Sequence, residues 1–288
     1  MAVPKVNGIA QILDGFAPRK LAESWDNVGL LLGDGSRKVN SIMVCLDTPE
    51  WVVEEAINKK VDMIICHHPL IFNPIKRITN DNPIGRKIIK LIKNNIAVYA
   101  MHTNFDCTIG GMNDMLMERL GFDKSEILDP RTPEKAQPYE EVAYDIIALE
   151  NKLENYGLGR IGELEDAVTL QEYAEQVKNL LGIKSLKIIG NGEKIIKKVA
   201  VIGGAGSSYW QKAKSKGADV LITGDISYHT QVDALEGGMA LIDGGHFGTE
   251  KVIMSFMTEK LRDLLREKGY KDVLIEESIE NDEIETTM

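Results

Sequence analysis

All five histidines of this 288-residue chain sit where an apolar run gives way to a loop. His67 and His68 follow Asp62-Met63-Ile64-Ile65-Cys66, and His102 follows Ala97-Val98-Tyr99-Ala100-Met101 and leads to Asp106. His246 follows Leu241-Ile242-Asp243-Gly244-Gly245 and leads to Glu250, while His229 lies just past Val220-Leu221-Ile222-Thr223. Strand C-terminal ends are where α/β proteins place their chemistry. Imidazole with carboxylate is the ligand set of Zn, Mn and Fe. The pattern is that of a metalloprotein.

The motifs differ in what they allow. Neighbours on a strand face opposite ways, so His67 and His68 can share a site only if the strand has ended, and Pro69 helps to end it. His246 and Glu250 have the i,i+4 spacing that places two side chains on one helix face. The plainer reading of Glu250 is an acid favoured by the helix dipole. His102 and Asp106 repeat the spacing; a carboxylate such as Asp106 can bridge two ions. His102 could be a ligand, a base, or a residue that orients a ligand or touches substrate. Asp47 joins it in the last role, and His229 is either a substrate contact or a surface residue. Gly204 and Gly206, in Gly203-Gly204-Ala205-Gly206, could present amides to a phosphate or form a tight turn. Arg160, in Gly157-Leu158-Gly159-Arg160, could likewise meet a phosphate.

Composition narrows the class. A hydrophobic fraction of 43% and a charged fraction of 27% describe a globular protein with a real core. The net charge of −10 disfavours nucleic acid and anionic membranes as partners of the whole surface. Cys45, Cys66 and Cys107 are odd in number and lack CxxC spacing, which suggests buried thiols in a reducing, cytoplasmic compartment. The N-terminal segment is too polar for a signal peptide, and no apolar run is long enough to span a membrane.

The elements that must position these residues alternate. Strands are expected over Val39–Leu46, Val61–Cys66 and Ile96–Met101, with helices between them at Trp51–Ala56 and along the Ile84, Ile88, Leu91, Ile92 stripe. A further helix runs over Asn113–Leu120 to Gly121. Thr169-Leu170-Gln171-Glu172 predicts a capping box opening a helix to Leu181. A long helix carries Val252, Ile253, Phe256, Met257, Leu261 and Leu264, with His246-Phe-Gly-Thr-Glu250 at its start. Residues 128–140 hold three prolines and read as a surface connection; the acidic tail reads as frayed. Such alternation implies α/β architecture with mainly parallel sheets. The expected domains are 1–127, completed by 240–288, and 128–239. A shift of 157 residues lays Val44 on Val201 and Asp62 on Asp219, and a shift of 144 lays His102 on His246 and Asp106 on Glu250. The overlap is either a chance likeness of two generic βαβ units or the mark of two related halves, each delivering a His-x-x-x-acid motif, which would suit a pair of ions.

Together, Trp25-Asp-Asn-Val-Gly-Leu30, Cys66-His-His-Pro-Leu-Ile-Phe72, His102-Thr-Asn-Phe-Asp106, Gly157-Leu-Gly-Arg-Ile-Gly162, Gly224-Asp225 and Gly244-Gly-His-Phe-Gly-Thr-Glu250 resemble the Nif-three-like dinuclear metal-centre proteins. These are also known as GTP cyclohydrolase one type two homologues. The resemblance spans nearly the whole chain. It implies two interlocked α/β domains, a dinuclear site in the cleft between them, and a toroidal homohexamer. Carried over by position, the ligands of two divalent ions would be His67, His68, Asp106, His246 and Glu250. It further implies a hydrolase in which water activated by the ions opens a purine imidazole ring. A metal-binding regulatory or nucleic-acid-associated ring protein without turnover is the alternative. The longest family members carry an inserted domain, for which the span between Asp123 and Lys198 is too short.

Overall fold

The computed structural model describes residues 3–131 and 155–279. The expected connection from residue 132 onward, and the tail from residue 280, lie outside them. The described chain forms two compact units, one of residues 3–105 and 254–279, the other of 106–131 and 155–253. These crossings differ from the expected boundaries at 127 and 240. The reason is pairing: the strands at 126–130 and 240–243 both belong to the second sheet.

The first unit opens with helix α1 (Val6–Phe16) and contains β1 (Gly29–Leu32), β2 (Ser41–Cys45), α2 (Glu50–Asn58), β3 (Met63–Cys66), α3 (Pro83–Lys93) and β4 (Ala97–Ala100). Its sheet has the order β1-β4-β3-β2-β11, where β11 is Leu274–Glu277. The helical crossovers make β2, β3 and β4 parallel, β11 adds parallel to β2, and β1 pairs antiparallel with β4. Alternation decides the faces. Met43 and Cys45, Ile64 and Cys66, and Val98 and Ala100 pack with Val52, Val53, Ile88 and Leu91 of the two crossover helices. All are fully buried, and each Val, Ile, Leu or Met among them is worth about 1.5–3 kcal/mol. The three cysteines are buried thiols.

The short helix α4 (Thr103–Cys107) carries the chain into the second unit. Next come α5 (Met112–Arg119), β5 (Glu126–Pro130), β6 (Gly157–Thr169), α6 (Leu170–Leu181), β7 (Lys187–Ile189), β8 (Ile195–Val201), α7 (Trp210–Ser215), β9 (Val220–Thr223), α8 (Tyr228–Glu236), β10 (Ala240–Asp243) and α9 (His246–Glu250). The sheet order is β5-β6-β8-β9-β10-β7. Only β8-β9-β10 are parallel; β5-β6, β6-β8 and β7-β10 run antiparallel. The expected mainly parallel sheets are therefore mixed, because strands without a helical crossover enter at the edges. The long C-terminal helix is also split. A 3-10 turn (Lys251–Ile253) separates α9 from α10 (Met254–Glu267), where the chain returns to the first unit.

The two parallel triplets share a hydrogen-bonding scheme. Asp62 Oδ2 accepts from the amides of Asn40 and Ser41 at 2.8 and 3.2 Å. Asp219 Oδ2 accepts from Lys197 and Lys198, both at 2.8 Å. The same aspartate thus closes the turn into the middle strand in both units, at the register the 157-residue shift predicts.

The capping box forms as expected: Thr169 Oγ1 accepts from Glu172 N at 3.2 Å, and Glu172 Oε2 accepts from Thr169 N at 2.9 Å. Thr169→Ala is expected to cost about 1 kcal/mol, read as a lower melting temperature with metal content unchanged. An unshifted melt would show that the cap does not hold α6.

Candidate functional site

In the first unit the histidines stand just past strand ends. His67 and His68 N–H groups donate to the carbonyls of Cys45 and Leu46, so the backbone extends the β2–β3 ladder by two residues. The His67 ring is fully buried, with Nδ1 2.8 Å from the Met101 carbonyl. His68 Nδ1 is 3.0 Å from Asp47 Oδ1, and His102 Nδ1 is 2.9 Å from Asp26 Oδ1. A carbonyl only accepts, and so does a carboxylate, which assigns the N–H to Nδ1 in each ring. Each neutral ring then offers a lone pair at Nε2. One nitrogen from each of the three rings lies within 4.8 Å of the others. Such nitrogens, oriented by oxygen acceptors behind them, are a donor set suited to a divalent cation.

Asp26, which its residue type alone does not single out, is what holds His102. It is nearly buried and takes four donors: His102 and the Asn27 amide on Oδ1, and the amide and hydroxyl of Thr103 on Oδ2. Burial raises its pKa; the His102 hydrogen bond and charge, with the Thr103 donors, together outweigh that and hold it below 3.8.

The second unit builds a pair of its own residues. Asp225, at the end of β9, adopts φ 54, an uncommon conformation that aspartate tolerates better than most residues. Its Oδ2 accepts from His246 Nδ1 at 2.7 Å. His246 Nε2 then lies 3.2 Å from Glu250 Oε2 across one turn of α9. A lone pair against a buried carboxylate is repulsive unless a proton or a cation intervenes, and Glu250 is only 4% exposed. The surrounding loops fit these two residues closely. Gly204 has φ +63, and a Cβ there would overlap Glu250 Oε1 and come within 3.0 Å of His246 Nε2. A Cβ on Gly224 would lie 2.5 Å from the His246 amide nitrogen. The backbone of Asp106 is tied to Asn113, which is 1% exposed, and its side chain joins no such donor group among the described residues. The Asn113 amide donates to the Asp106 carbonyl at 3.0 Å, and its Oδ1 accepts from Gly203 N at 3.1 Å. Nothing in the sequence marks Asn113 as a site residue, since it is one polar residue at the start of an expected helix.

The residues expected to contact phosphate have partners within the protein. Arg160 is buried in β6, and its five N–H groups go to Asp114, Thr108, Gly157 and Gly159. It has no donor left for an anion. The Gly204 and Gly206 amides donate to Thr249 and Thr223 hydroxyls at 3.0 and 2.8 Å. That loop is the wall beside Glu250 rather than an anion nest. His229 is exposed in the first turn of α8, its ring against Tyr228, and joins neither donor group.

Mixed sheets flanked by helices, with imidazoles aligned by acidic and carbonyl oxygens at strand ends, define the class. The chain matches Duf34/NIF3 (NGG1p interacting factor 3) over residues 4–281 and belongs to that family. It is 42% identical over 266 residues to a Clostridium acetobutylicum protein called GTP cyclohydrolase 1 type 2 homolog, covering 92% of each chain. A Bacillus subtilis protein of the same name is 33% identical over 353 aligned positions, 92% of this chain and 94% of that one. That alignment exceeds 288 residues, so the relative carries insertions. The crystal structure of a Bacillus cereus protein related to NIF3 superimposes with a TM-score of 0.89, at 31% identity and full coverage of both chains. Among the described residues no helix is long and apolar enough to cross a membrane.

The geometry has two testable consequences. Because the folded pKa of Asp26 is depressed, its contribution to stability is complete above 3.8 and is lost as pH falls through the lower folded value. Melting temperatures of wild type and Asp26→Asn should therefore differ at pH 7 and converge as pH falls through the folded value; parallel curves would remove the assignment. Gly204→Ala forces a strained φ and a clash with Glu250, and should cost about 1–3 kcal/mol and weaken divalent-ion binding. An unchanged melt together with unchanged ion titration would show that Gly204 does not form the wall.

Proposed function

We propose that this chain is a divalent-metal-dependent hydrolase acting on a purine nucleotide. The observation that carries the proposal is the shared anchoring of four imidazoles, each with Nδ1 held by an oxygen so that Nε2 carries the lone pair. The ligands we assign to two ions per chain are those the resemblance implies: His67, His68, Asp106, His246 and Glu250. Mixed nitrogen and oxygen donors accommodate Zn, Mn and Fe alike. Bound divalent ions would supply Lewis-acid polarisation of the reacting groups.

The chain's own residues supply the rest. His102 lies outside that ligand set but has the same anchored orientation. Asp26 fixes its tautomer and stabilises positive charge on the ring, which suits His102 Nε2 to take a proton from the attacking water. Asp47 and Asp225 hold His68 and His246 in place. Relatives carry the name GTP cyclohydrolase 1 type 2 homolog, which makes hydrolytic opening of the GTP imidazole ring the first reaction to test. A closed ring of six chains, roughly 190 kDa from 32.0 kDa protomers, is part of the same proposal.

Protein dialysed against Zn or Mn should hold close to two ions per chain by elemental analysis. Asp106→Asn or Glu250→Gln should lose at least one ion, and His229→Ala none. His102→Asn should keep its metal while losing turnover about 100-fold or more. Metal content near zero in the wild type would sink the metal reading; full metal with no GTP turnover would sink the hydrolase reading alone.

A further inference from the structure

Two large aromatic side chains stand in solvent beside the histidines of the first unit. Trp25 is 58% exposed and Phe72 is 44% exposed. Their ring centroids are 5.8 Å apart, and they lie 6.0 and 6.3 Å from the ring of His102. The interplanar angles are 56°, 71° and 77°, so none of the three rings stacks face to face on another. Tilted and edge contacts leave π faces open, and an open face favours a planar partner in offset stacking.

The backbone beneath both rings is fixed. Asp26 is tied to His102 and Thr103, and the Asn27 side-chain amide donates to the Ile71 carbonyl at 2.6 Å. Nearby residues anchor both segments: Asp26, Val28 and Leu70 are buried, whereas Ser24 and Asn73 beside the rings are exposed. Trp25 and Phe72 are therefore held outward by the same hydrogen bonds that set the position of His102. Exposing so much aromatic surface costs hydration free energy, and a protein does not place it rigidly against its reactive imidazoles without an occupant.

We propose that Trp25 and Phe72 form the ring-binding wall of this site and take a planar heteroaromatic ring of the nucleobase kind, stacked beside His102. Two aromatic side chains match one bicyclic ring in size and fall far short of the roughly 800 Å² per partner that a stable protein interface needs. Stacking is tolerant of which base is bound, because every base has a π face, so the wall selects for a ring and leaves its identity to polar contacts. This inference gives a substrate class to the site of the proposed hydrolase and rests on that reading for its catalytic meaning, though ring binding itself needs no turnover.

The test uses the full-length, metal-loaded protein, with guanosine and inorganic triphosphate as separate probes. Guanosine should quench tryptophan fluorescence in the wild type, and the quench should be largely absent in Trp25→Phe. By calorimetry, the double variant Trp25→Leu, Phe72→Leu should bind guanosine about 10-fold or more weakly, with unchanged metal content and unchanged affinity for inorganic triphosphate. Should the double variant not fold, Trp25→Phe serves instead: it should keep most of the guanosine affinity, and Phe72→Leu alone should lose part of it. Wild-type protein that binds no guanosine, or variants that bind it equally well, would overturn the proposal. So would variants whose mass by light scattering changes while guanosine affinity does not, since the wall would then belong to a contact with a second copy of the chain. Loss of turnover without loss of guanosine binding would count against the hydrolase reading and leave the ring wall standing.

Discussion

A neutral imidazole has one nitrogen that donates and one that accepts, and whatever oxygen is fixed against Nδ1 decides which is which. Four histidines here obey that constraint, and much of the local architecture serves to supply the oxygens. The Met101 carbonyl stands just past β4, Asp47 just past β2 and Asp225 just past β9, while Asp26 comes from the loop before β1. Parallel strands joined by helical crossovers bring such ends to the same edge of a sheet. In each unit the parallel triplet therefore places a histidine and its anchoring oxygen next to each other without help from a long loop.

The two triplets are built alike, and the likeness shows in bonds rather than in side-chain identity. Asp62 and Asp219 each accept from two successive amides of the neighbouring strand segment, Asn40 and Ser41 in one unit and Lys197 and Lys198 in the other. The Met101 amide bonds the Cys66 carbonyl in the first unit, as the Gly244 amide bonds the Thr223 carbonyl in the second. Each bond ties the residue after the third strand to the end of the second. Past the end of that second strand the halves part company: a histidine pair stands there in one unit, a Gly-Asp turn with positive φ in the other. The frame is common to both halves, and its donors are particular to each.

A shared frame with unshared donors explains what was readable from sequence. Strands β2, β3 and β4, helices α2 and α3, and the Thr169 capping box arise from local periodicity and cap chemistry, and all are present within a few residues of expectation. The elements missed are those whose partners lie far along the chain. Strand β1 finds β4, and β11 finds β2, with little alternation to announce either. Arg160 reads as a loop cation because glycines surround it; only pairing of β6 with β5 and β8 buries it against Asp114. Gly204 reads as a phosphate loop because glycine next to a helix has that use, yet its missing side chain makes room for Glu250. The histidines were visible by type and spacing. Asp26 and Asp225 stood only inside motifs of the resemblance and Asn113 only at a helix boundary, without the anchoring roles they take here, since a single polar residue carries no periodicity.

The anchors also differ in kind, and the difference sets what each ring can do. His67 leans on a neutral carbonyl, whereas His68, His102 and His246 lean on carboxylates. A carboxylate behind Nδ1 makes Nε2 more basic and a stronger donor, while a carbonyl fixes orientation with less electronic push. Burial sharpens the contrast. His67 is fully buried, whereas His102 is only partly buried and sits over an aspartate that also accepts from Thr103. Rings that look equivalent in sequence are thus separated by their anchors and by their burial.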